Sequence, residues 1–365
     1  MPFVDPNPQY WREYTNLQKV KHDLIHCYLQ GWLPKLGFWA GRVVYFDTHA
    51  GRGVHPRGQL GSPLVALDAL LSHSHREKIL NQSEVTFFFI ERDEQNLALL
   101  KEELANRGQL PERITCETIA GNCFSILEDL ISWFSEPSRS LAPAFFFIDP
   151  YGFKVPGRIL RDLMKFERVE LFINLIWREL DMAMAQPAQM AGTLNEVFDG
   201  ESWRDWSGEV DAVARAHQTV EGLQHLTQAR WATYVRMLGD HQATRYALVH
   251  LTNHDAGRDL MKDCIWNTCP DGGYYARKSD DPQQEYLIKP APDLSPLCAW
   301  ILDRLPCRWS SLRTALRSTL WREPHLNQMI REMRKRSLID GRNYEGRFSS
   351  KADPELFLCE TDDAA

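Results

Sequence analysis

The chain has 365 residues, of which 44% are hydrophobic and 25% charged; this balance is that of a globular protein and excludes a disordered or fibrous chain. No apolar run approaches the ~20 residues that cross a bilayer, and the first residues lack the basic and then apolar segments of a secretory signal. Eight cysteines stand singly without any CxxC pair, which predicts a reducing, cytoplasmic compartment and no structural metal.

The charge is distributed unevenly along the chain. The formal net charge is −7, yet residues 296–351 carry twelve Arg and Lys against five Asp and Glu. A basic segment attached to an acidic body indicates that the segment meets a polyanion.

Apolar strands alternate with helical segments over most of the chain. Ser62 is predicted to cap a helix, with Pro63 in its first turn. The alternation predicts βαβ crossovers, and therefore an α/β, Rossmann-like fold with a mostly parallel sheet and helices on both faces. Strands are predicted at residues 42–47, 85–91, 114–120, 144–149, 170–176, 246–252 and 274–277, and helices at residues 9–33, 62–72, 94–107, 122–133, 156–165 and 255–268.

The alternation stops between residues 178 and 238. This stretch is rich in tryptophan and is predicted as a helical insertion that caps the ligand end of the sheet. The predicted organisation is an α/β domain at residues 1–277, a proline-rich linker at 278–296, a basic module at 297–359 and an acidic tail at 360–365.

The basic module is predicted to contain three short helices, at residues 297–305, 310–321 and 323–337, and an extended segment at 338–358 with a turn at Asp340-Gly341. This order is typical of a winged helix-turn-helix whose third helix is the recognition helix. It favours nucleic acid, DNA rather than RNA, as the partner. The residues predicted to contact nucleic acid are Arg313, Arg317, Asn327, Arg331, Arg334, Lys335, Arg342 and Arg347.

The first strand runs directly into a glycine loop, VVYFDTHAGRGVH at residues 43–55. Glycines at positions 51 and 53 allow the backbone to approach a ligand closely, and such loops lie at the ligand end of open α/β sheets. A carboxylate at the position of Asp47 would repel a bound phosphate. It would instead attract a cationic amine, such as that of S-adenosylmethionine. We therefore predict that Asp47, Gly51 and Gly53 bind this cofactor.

Two further junctions carry polar residues. Glu91 ends the second strand, where an acid accepts hydrogen bonds from ribose hydroxyls. Asn122 follows the third strand and can reach the adenine edge or cap the next helix. His49 in the glycine loop can touch the cofactor carboxylate or lie in solvent.

The fourth strand ends in Asp149-Pro150-Tyr151-Gly152-Phe153. This segment resembles the Asp-Pro-Pro-Tyr motif of amino-group methyltransferases, with Tyr151 in place of the second proline. A carboxylate and a carbonyl that accept the hydrogens of a base amine localise its lone pair, and an aromatic ring, here Tyr151 or Phe153, holds the base outside its stack. The alternative is an ordinary proline-initiated turn after a strand.

Four segments resemble the three-Cys-motif partner proteins: YFDTHAGRG from Tyr45, GSP from Gly61, IDPYGF from Ile148 and TNHDAGRDLMKD from Thr252. Members look like class I methyltransferases and are named for a partner that is similar to radical S-adenosylmethionine enzymes. DTHAGRG, with the preceding Lys21-His22, is more distantly similar to large-subunit ribosomal-RNA adenine methyltransferases. The resemblance implies cofactor contacts at Lys21, His22, Asp47, His49, Gly51, Glu91 and Asn122, and a catalytic acid at Asp149.

These features support two hypotheses. In the first, the protein is an S-adenosylmethionine-dependent methyltransferase of a base amino group in nucleic acid. In the second, it is a non-methylating, nucleic-acid-binding subunit of a three-Cys-motif, radical-type enzyme. The acids at 47 and 91 favour the first hypothesis, and the altered motif at Asp149 favours the second.

Overall fold

The computed structural model describes residues 14–269, 275–281, 293–344, 346–349 and 352–359. These residues form two compact units, the first made of residues 14–268 and 275–281 and the second of the residues from 293 onward together with Cys269. The predicted acidic tail, most of the predicted linker and residues 9–13 of the first predicted helix lie outside the described residues.

The first unit is built on one sheet with eight described strands. From β1 to β5 the strands are parallel, and their order places β1 between β2 and β4. The full order is β3-β2-β1-β4-β5-β7-β6-β8. This arrangement confirms the predicted α/β, Rossmann-like fold. The strands are β1 Arg42–Asp47, β2 Glu84–Glu91, β3 Ile114–Ala120, β4 Ala144–Ile148, β5 Val169–Leu175, β6 Trp231–Leu238, β7 Thr244–Thr252 and β8 Tyr275–Arg277.

The second half of the sheet corrects the predicted insertion. Residues 178–227 are largely helical, but Trp231–Leu238 forms β6, so the helical prediction through residue 238 is wrong for its last part. β6 pairs antiparallel with β7, which is itself antiparallel to β5. The segment WATYVRML mixes apolar and polar residues without strict alternation, and its pairing with β7 decides its conformation.

Four helices of this unit begin at a residue whose side chain caps them: Thr15, Asp93, Asn122 and Asp211. Thr15 and Gln18 form a capping box at the start of the first helix, so this helix begins at Asn16 rather than at residue 9. The second helix has Gly61 as its N-cap, and Ser62 is its first residue, not its cap. The helices are α1 Asn16–Gly37, α2 Ser62–Leu71, α3 Arg76–Gln82, α4 Glu94–Asn106, α5 Cys123–Phe134, α6 Gly157–Met164, α7 Trp177–Met184, α8 Pro187–Val197, α9 Arg204–Ser207, α10 Ala212–Thr227 and α11 Asp255–Thr268.

Side chains alternate between two covered faces of the sheet. Phe46 stacks on Phe146 with ring centroids 4.4 Å apart, in a core that also takes residues from α5 to α10. On the other face, Tyr28 of α1 stacks on Phe145, 5.1 Å between centroids. Burial on both faces explains why the central strands are continuous apolar runs.

A buried polar network attaches α1 to the sheet. Glu170 on β5 accepts hydrogen bonds from the Tyr28 hydroxyl, from Trp32 Nε1 at 3.2 Å and from His250 Nε2 at 2.8 Å. Burial acts to raise the pKa of Glu170, but the hydrogen bonds and the His250 charge outweigh it and lower the pKa. Because α1 also carries Lys21, this network sets where the Lys21 side chain can reach.

Two cysteines depart from the sequence interpretation. Cys27 of α1 and Cys264 of α11 form a disulfide, 5.7 Å between Cα atoms, whereas the sequence analysis treats all eight cysteines as thiols. Their separation of 237 residues hides the pairing from any local pattern. In the part of the chain that the structure describes, no helix is both long and apolar enough to cross a membrane.

The described residues of the second unit form an α-helix, a short strand, two further α-helices separated by a 3-10 turn at Leu316–Ser318, and two strands. Its sheet has the order β10-β11-β9, with both pairings antiparallel. Asp340 and Gly341 lie within β10, so the predicted turn at these residues is wrong. Residues 345, 350 and 351 of the predicted extended segment lie outside the described residues. The elements are α12 Ser295–Leu302, β9 Cys307–Arg308, α13 Trp309–Ala315, α14 Glu323–Lys335, β10 Ile339–Arg342 and β11 Glu355–Leu358.

Candidate active site

The candidate site lies where the strand order reverses. β1 has β2 on one side and β4 on the other, so the loops after β1 and β4 leave in different directions and open a crevice at the carboxyl edge. Asp47 is the last residue of β1, and Asp149 directly follows β4. The two predicted acids therefore lie on neighbouring strand ends.

Asp47 is fully buried. Its Oδ1 accepts a hydrogen bond from the His49 backbone N–H at 3.2 Å, whereas Oδ2 accepts none of normal geometry from the described residues, although the nearby Ser62 side chain lowers the carboxyl pKa. Burial outweighs these contacts and raises the pKa of Asp47 to about 7. A carboxylate buried in this way calls for a cationic partner.

The glycine loop follows Asp47 directly in the chain. Gly51 and Gly53 have φ values of 65° and 85°, in the left-handed region that glycine tolerates best. The Gly61 backbone N–H donates to the Gly53 carbonyl at 2.6 Å, and a Cβ on Gly61 would stand 3.0 Å from that oxygen. The loop is thus closed on itself, and its glycines are required by conformation and by close backbone approach.

Glu91 holds the glycine loop from the end of β2. The carboxylate is almost fully buried and accepts the backbone N–H of Gly51 on Oε2 and that of Asp93 on Oε1, both at 2.7 Å. Burial raises the pKa of Glu91, and these backbone hydrogen bonds oppose the change. Each oxygen has a second lone pair, so Glu91 can shape the loop and still accept ribose hydroxyls.

Glu91 also lines a cavity of about 330 Å³ together with Asn122 and Phe124. Asn122 caps α5 by accepting backbone N–H groups of Phe124 and Ser125 at 2.9 and 3.3 Å, so the capping alternative is present. The same side chain borders the cavity, so the adenine role is geometrically compatible with capping.

His49 lines the 330 Å³ cavity and a larger cavity beside it, and does not lie in open solvent. Its Nδ1 lies 2.8 Å from the Thr48 hydroxyl, and its Nε2 lies 3.4 Å from Cys123 Sγ. Burial lowers the pKa of His49 to about 4. The ring is therefore neutral at neutral pH and can serve as a hydrogen-bonding group but not as a cation.

Asp149 is held by two side chains. Lys21 Nζ of α1 lies 2.5 Å from Oδ2, and Asn174 Nδ2 of β5 donates to Oδ1 at 2.5 Å. The Lys21 side chain is 3% exposed and that of Asp149 is 15% exposed. Lys21, implied by the resemblance to be a cofactor residue, thus pairs with the implied catalytic acid.

The two aromatic candidates after β4 differ in accessibility. Tyr151 is 44% exposed, whereas Phe153 is 7% exposed and packs in the hydrophobic core. A ring that stacks on a base must be accessible to that base, so the exposed Tyr151 fits the stacking role better than the buried Phe153. The segment from Pro150 to Gly152 borders both the 330 Å³ cavity and a larger neighbouring cavity of about 580 Å³.

The larger cavity contains predicted residues and others that the sequence analysis missed. Four residues named in the sequence analysis line it: Lys21, His22, His49 and Asp149. Asn174 and Glu179, from β5 and α7, also line it, as do Arg245 and Lys278 from much later in the chain. The only local signal for Asn174 was a polar residue at the end of a buried strand, LFINL. His22 accepts or donates one hydrogen bond with the Tyr14 hydroxyl at 2.9 Å, and burial lowers its pKa.

In the second unit, several predicted nucleic-acid residues are engaged within the module. Asn327 Oδ1 accepts the indole N–H of Trp309 at 2.8 Å. Arg313 pairs with Glu323 at 2.6 Å, and Arg334 with Asp340 at 2.9 Å.

The remaining predicted residues of the module are more open. Arg342 lies 3.8 Å from Glu355 and is exposed, as are Arg331, Lys335 and Arg347, whereas Arg317 is half-buried. Arg331 also lies over the Phe348 ring, 5.6 Å from its centroid.

Comparisons with known proteins give structural likenesses only. No family model matches the chain, and no curated protein matches it. Trm1 from Pyrococcus horikoshii, solved with S-adenosyl-L-methionine, shares 13% identity over 70% of this chain and 61% of its own, with a TM-score of 0.38. This chain thus spans less than two thirds of that protein.

Two other solved structures are similar at the same low level. Protein LPL1258 from Legionella pneumophila shares 12% identity over 64% of this chain and 85% of its own, with a TM-score of 0.34. A candidate S-adenosylmethionine-dependent methyltransferase from Methanococcus maripaludis shares 8% over 69% and 96%, with a TM-score of 0.30. The chemistry of the chain must therefore be argued from its own site.

Proposed function

We propose that this protein is an S-adenosylmethionine-dependent methyltransferase that acts on a base amino group in nucleic acid. The observation that carries the proposal is the buried Asp47 carboxylate at the strand-order reversal, beside a closed glycine loop and next to the strand that ends at Asp149. A cationic ligand and a polar acceptor would meet between these two acids.

Three side chains at the carboxyl edge have the chemistry that the cofactor needs, and two of them, Glu91 and Asn122, line the smaller cavity, whereas Asp47 is buried beside it and lines neither cavity. Asp47, whose Oδ2 is buried without a normal hydrogen bond from the described residues, would bind the methionine ammonium. Glu91 would bind the ribose hydroxyls, and Asn122 the adenine edge, in the 330 Å³ cavity. Bound S-adenosylmethionine supplies an electrophilic methyl group on a sulfonium sulfur.

The acceptor side of the crevice is formed by Asp149 and Tyr151. The Asp149 carboxylate would accept a hydrogen of the base amine and localise the nitrogen lone pair, and Tyr151 would stack on the base. Lys21 and Asn174 orient the carboxylate through 2.5 Å contacts. Positioning of the acceptor would then supply most of the rate enhancement.

The second unit supports a nucleic-acid partner. We propose that its order of helix, strand, two helices and two strands is that of a winged helix, in which α14 would be the recognition helix and DNA the favoured ligand. Leu326, Ile330 and Met333 of α14 are buried, which leaves Arg331 and Lys335 exposed. Replacing Lys335 with Gln should reduce the slope of log affinity against log salt by about 1 if this side chain meets a phosphate.

Transfer of label tests the enzymatic proposal. The full chain is incubated with methyl-labelled S-adenosylmethionine and pools of DNA and RNA, and Asp149→Asn is compared with Asp129→Asn, an exposed carboxylate on α5. We expect label on nucleic acid for wild type and Asp129→Asn and its loss in Asp149→Asn, with cofactor binding retained in all three. Cofactor binding without transfer by the wild type would contradict the proposal.

A second candidate function rests on the same acid. Because Lys21 and Asn174 each contact one oxygen of Asp149, the carboxylate has fewer sites left for an amine. This occupancy favours a non-methylating subunit that presents nucleic acid to a radical-type, three-Cys-motif partner. That candidate predicts cofactor and nucleic-acid binding without transfer, and transfer by the isolated chain would refute it.

A further inference from the structure

Acidic and basic side chains both line the 580 Å³ cavity. Asp149 and Glu179 border the side near β4 and α7. Arg245 and Lys278 border the cavity from β7 and from the residue after β8, and Tyr246 also lines it. Neither cation lies on β1 or β4, the two strands between which the strand order reverses.

Strand register explains why these two cations converge. β7 runs antiparallel to β5, so its first residues lie at the carboxyl edge of the parallel strands. β6 and β8 end at the same edge, since Leu238 pairs with Thr244 and the Lys278 backbone N–H donates to the Leu238 carbonyl at 2.9 Å. Arg245 and Lys278 thus flank the end of β6 although they are 33 positions apart in the chain.

The loop beside this wall has an unusual conformation. His241 and Gln242, between β6 and β7, have φ values of 63° and 60°. Residues other than glycine rarely adopt such φ values, and backbone strain of this kind is more frequent at binding sites than elsewhere. Arg277 Nε donates to Gln242 Oε1 at 3.1 Å and so anchors the loop to β8.

We infer that Arg245 and Lys278 form a subsite for the phosphate of the acceptor nucleotide, with the base directed at Asp149. Two cations on one wall suit a phosphate, and acids near the reaction centre suit an uncharged base amine. The inference rests on the proposed function and deepens it: the first unit itself recognises a nucleotide, independently of the basic residues of the second unit.

Direct binding to mononucleotides tests the subsite. The full chain, saturated with S-adenosylhomocysteine so that no methyl group can move, is titrated with the four nucleoside monophosphates and with the four nucleosides. We expect at least one monophosphate to bind tighter than its nucleoside. Loss of one charged contact corresponds to roughly tenfold or more in affinity, so Arg245→Gln/Lys278→Gln should abolish the preference for the phosphate.

The matched control removes two charges elsewhere in the same unit. Lys101→Gln/Arg113→Gln changes two exposed cations near the opposite, β3 edge of the sheet and should leave the preference intact. Two results would overturn the inference. In the first, wild type binds no monophosphate, or binds each monophosphate no more tightly than its nucleoside. In the second, the preference for the monophosphate survives in the Arg245→Gln/Lys278→Gln variant. A phosphate preference without methyl transfer would uphold the subsite and refute only the proposed function.

Discussion

The buried Asp47 carboxylate makes cofactor binding depend on pH in a calculable way. Its pKa is about 7 because burial penalises the charged form. With that value about 1% of the carboxyl is ionised at pH 5 and about half at pH 7, so affinity for a cationic ligand should rise roughly fiftyfold between them. The ligand amine stays protonated over this range, since α-amino groups titrate near pH 7.7–8.0.

Calorimetry across this pH range checks the expectation. Near pH 6, binding of S-adenosylmethionine to wild type should release close to one proton, seen as a dependence of the heat on buffer ionisation. Asp47→Asn should bind without that release and with a flat pH profile, and should lose about 2–5 kcal/mol at pH 7 or above, as for one partner of a buried charge pair. A wild-type affinity that does not change between pH 5 and 7, or a variant that keeps the rise, would refute the role of Asp47.

Three further perturbations address the same site. Without ligand, a raised carboxyl pKa makes stability fall as pH rises from about 4 to 7, and the His49 pKa of about 4 makes stability rise over about 4 to 6.5. Relative to wild type, the melting temperature should therefore rise more steeply with pH in Asp47→Asn and less steeply in His49→Gln, and slopes equal to that of wild type would contradict these two pKa shifts. Asn174→Ala should lower kcat for methyl transfer more than it changes cofactor affinity, because the Asp149 carboxylate loses a hydrogen bond that orients it, and equal kcat values would contradict its positioning role. Gly53→Ala should destabilise the chain by about 1–2 kcal/mol in denaturant unfolding, since φ is 85° there, and an unchanged midpoint would show that the loop relaxes.

Local patterns in the sequence sufficed for much of the fold. The runs RVVYFD and AFFFI are apolar at every position or nearly so, which only a strand buried on both faces explains, and the structure places them at the centre of the sheet. Asn122 and Thr15 begin helices through hydrogen bonds that span three residues or fewer. Such interactions are local, so short segments contain the information that determines them.

Other features depended on residues distant in the chain. β6 takes its conformation from pairing with β7, and the Cys27–Cys264 disulfide joins helices at opposite ends of the first unit's sequence. Asp340 and Gly341 form a strand because β11 pairs with them, although the dipeptide is typical of turns. In each case a tertiary contact overrides the local preference.

The candidate site likewise has some features that local sequence determines and others that long-range contacts determine. The sequence by itself was enough to predict that the acids at positions 47, 91 and 149 lie close together. Each acid stands at the end of a recognisable strand, and the carboxyl ends of parallel strands share one edge of a sheet. Only the tertiary structure decided that Lys21 pairs with Asp149, that Asn174 orients it and that Arg245 and Lys278 share a wall. Strand order and helix placement bring these side chains together, and both are set by long-range packing that no short segment encodes.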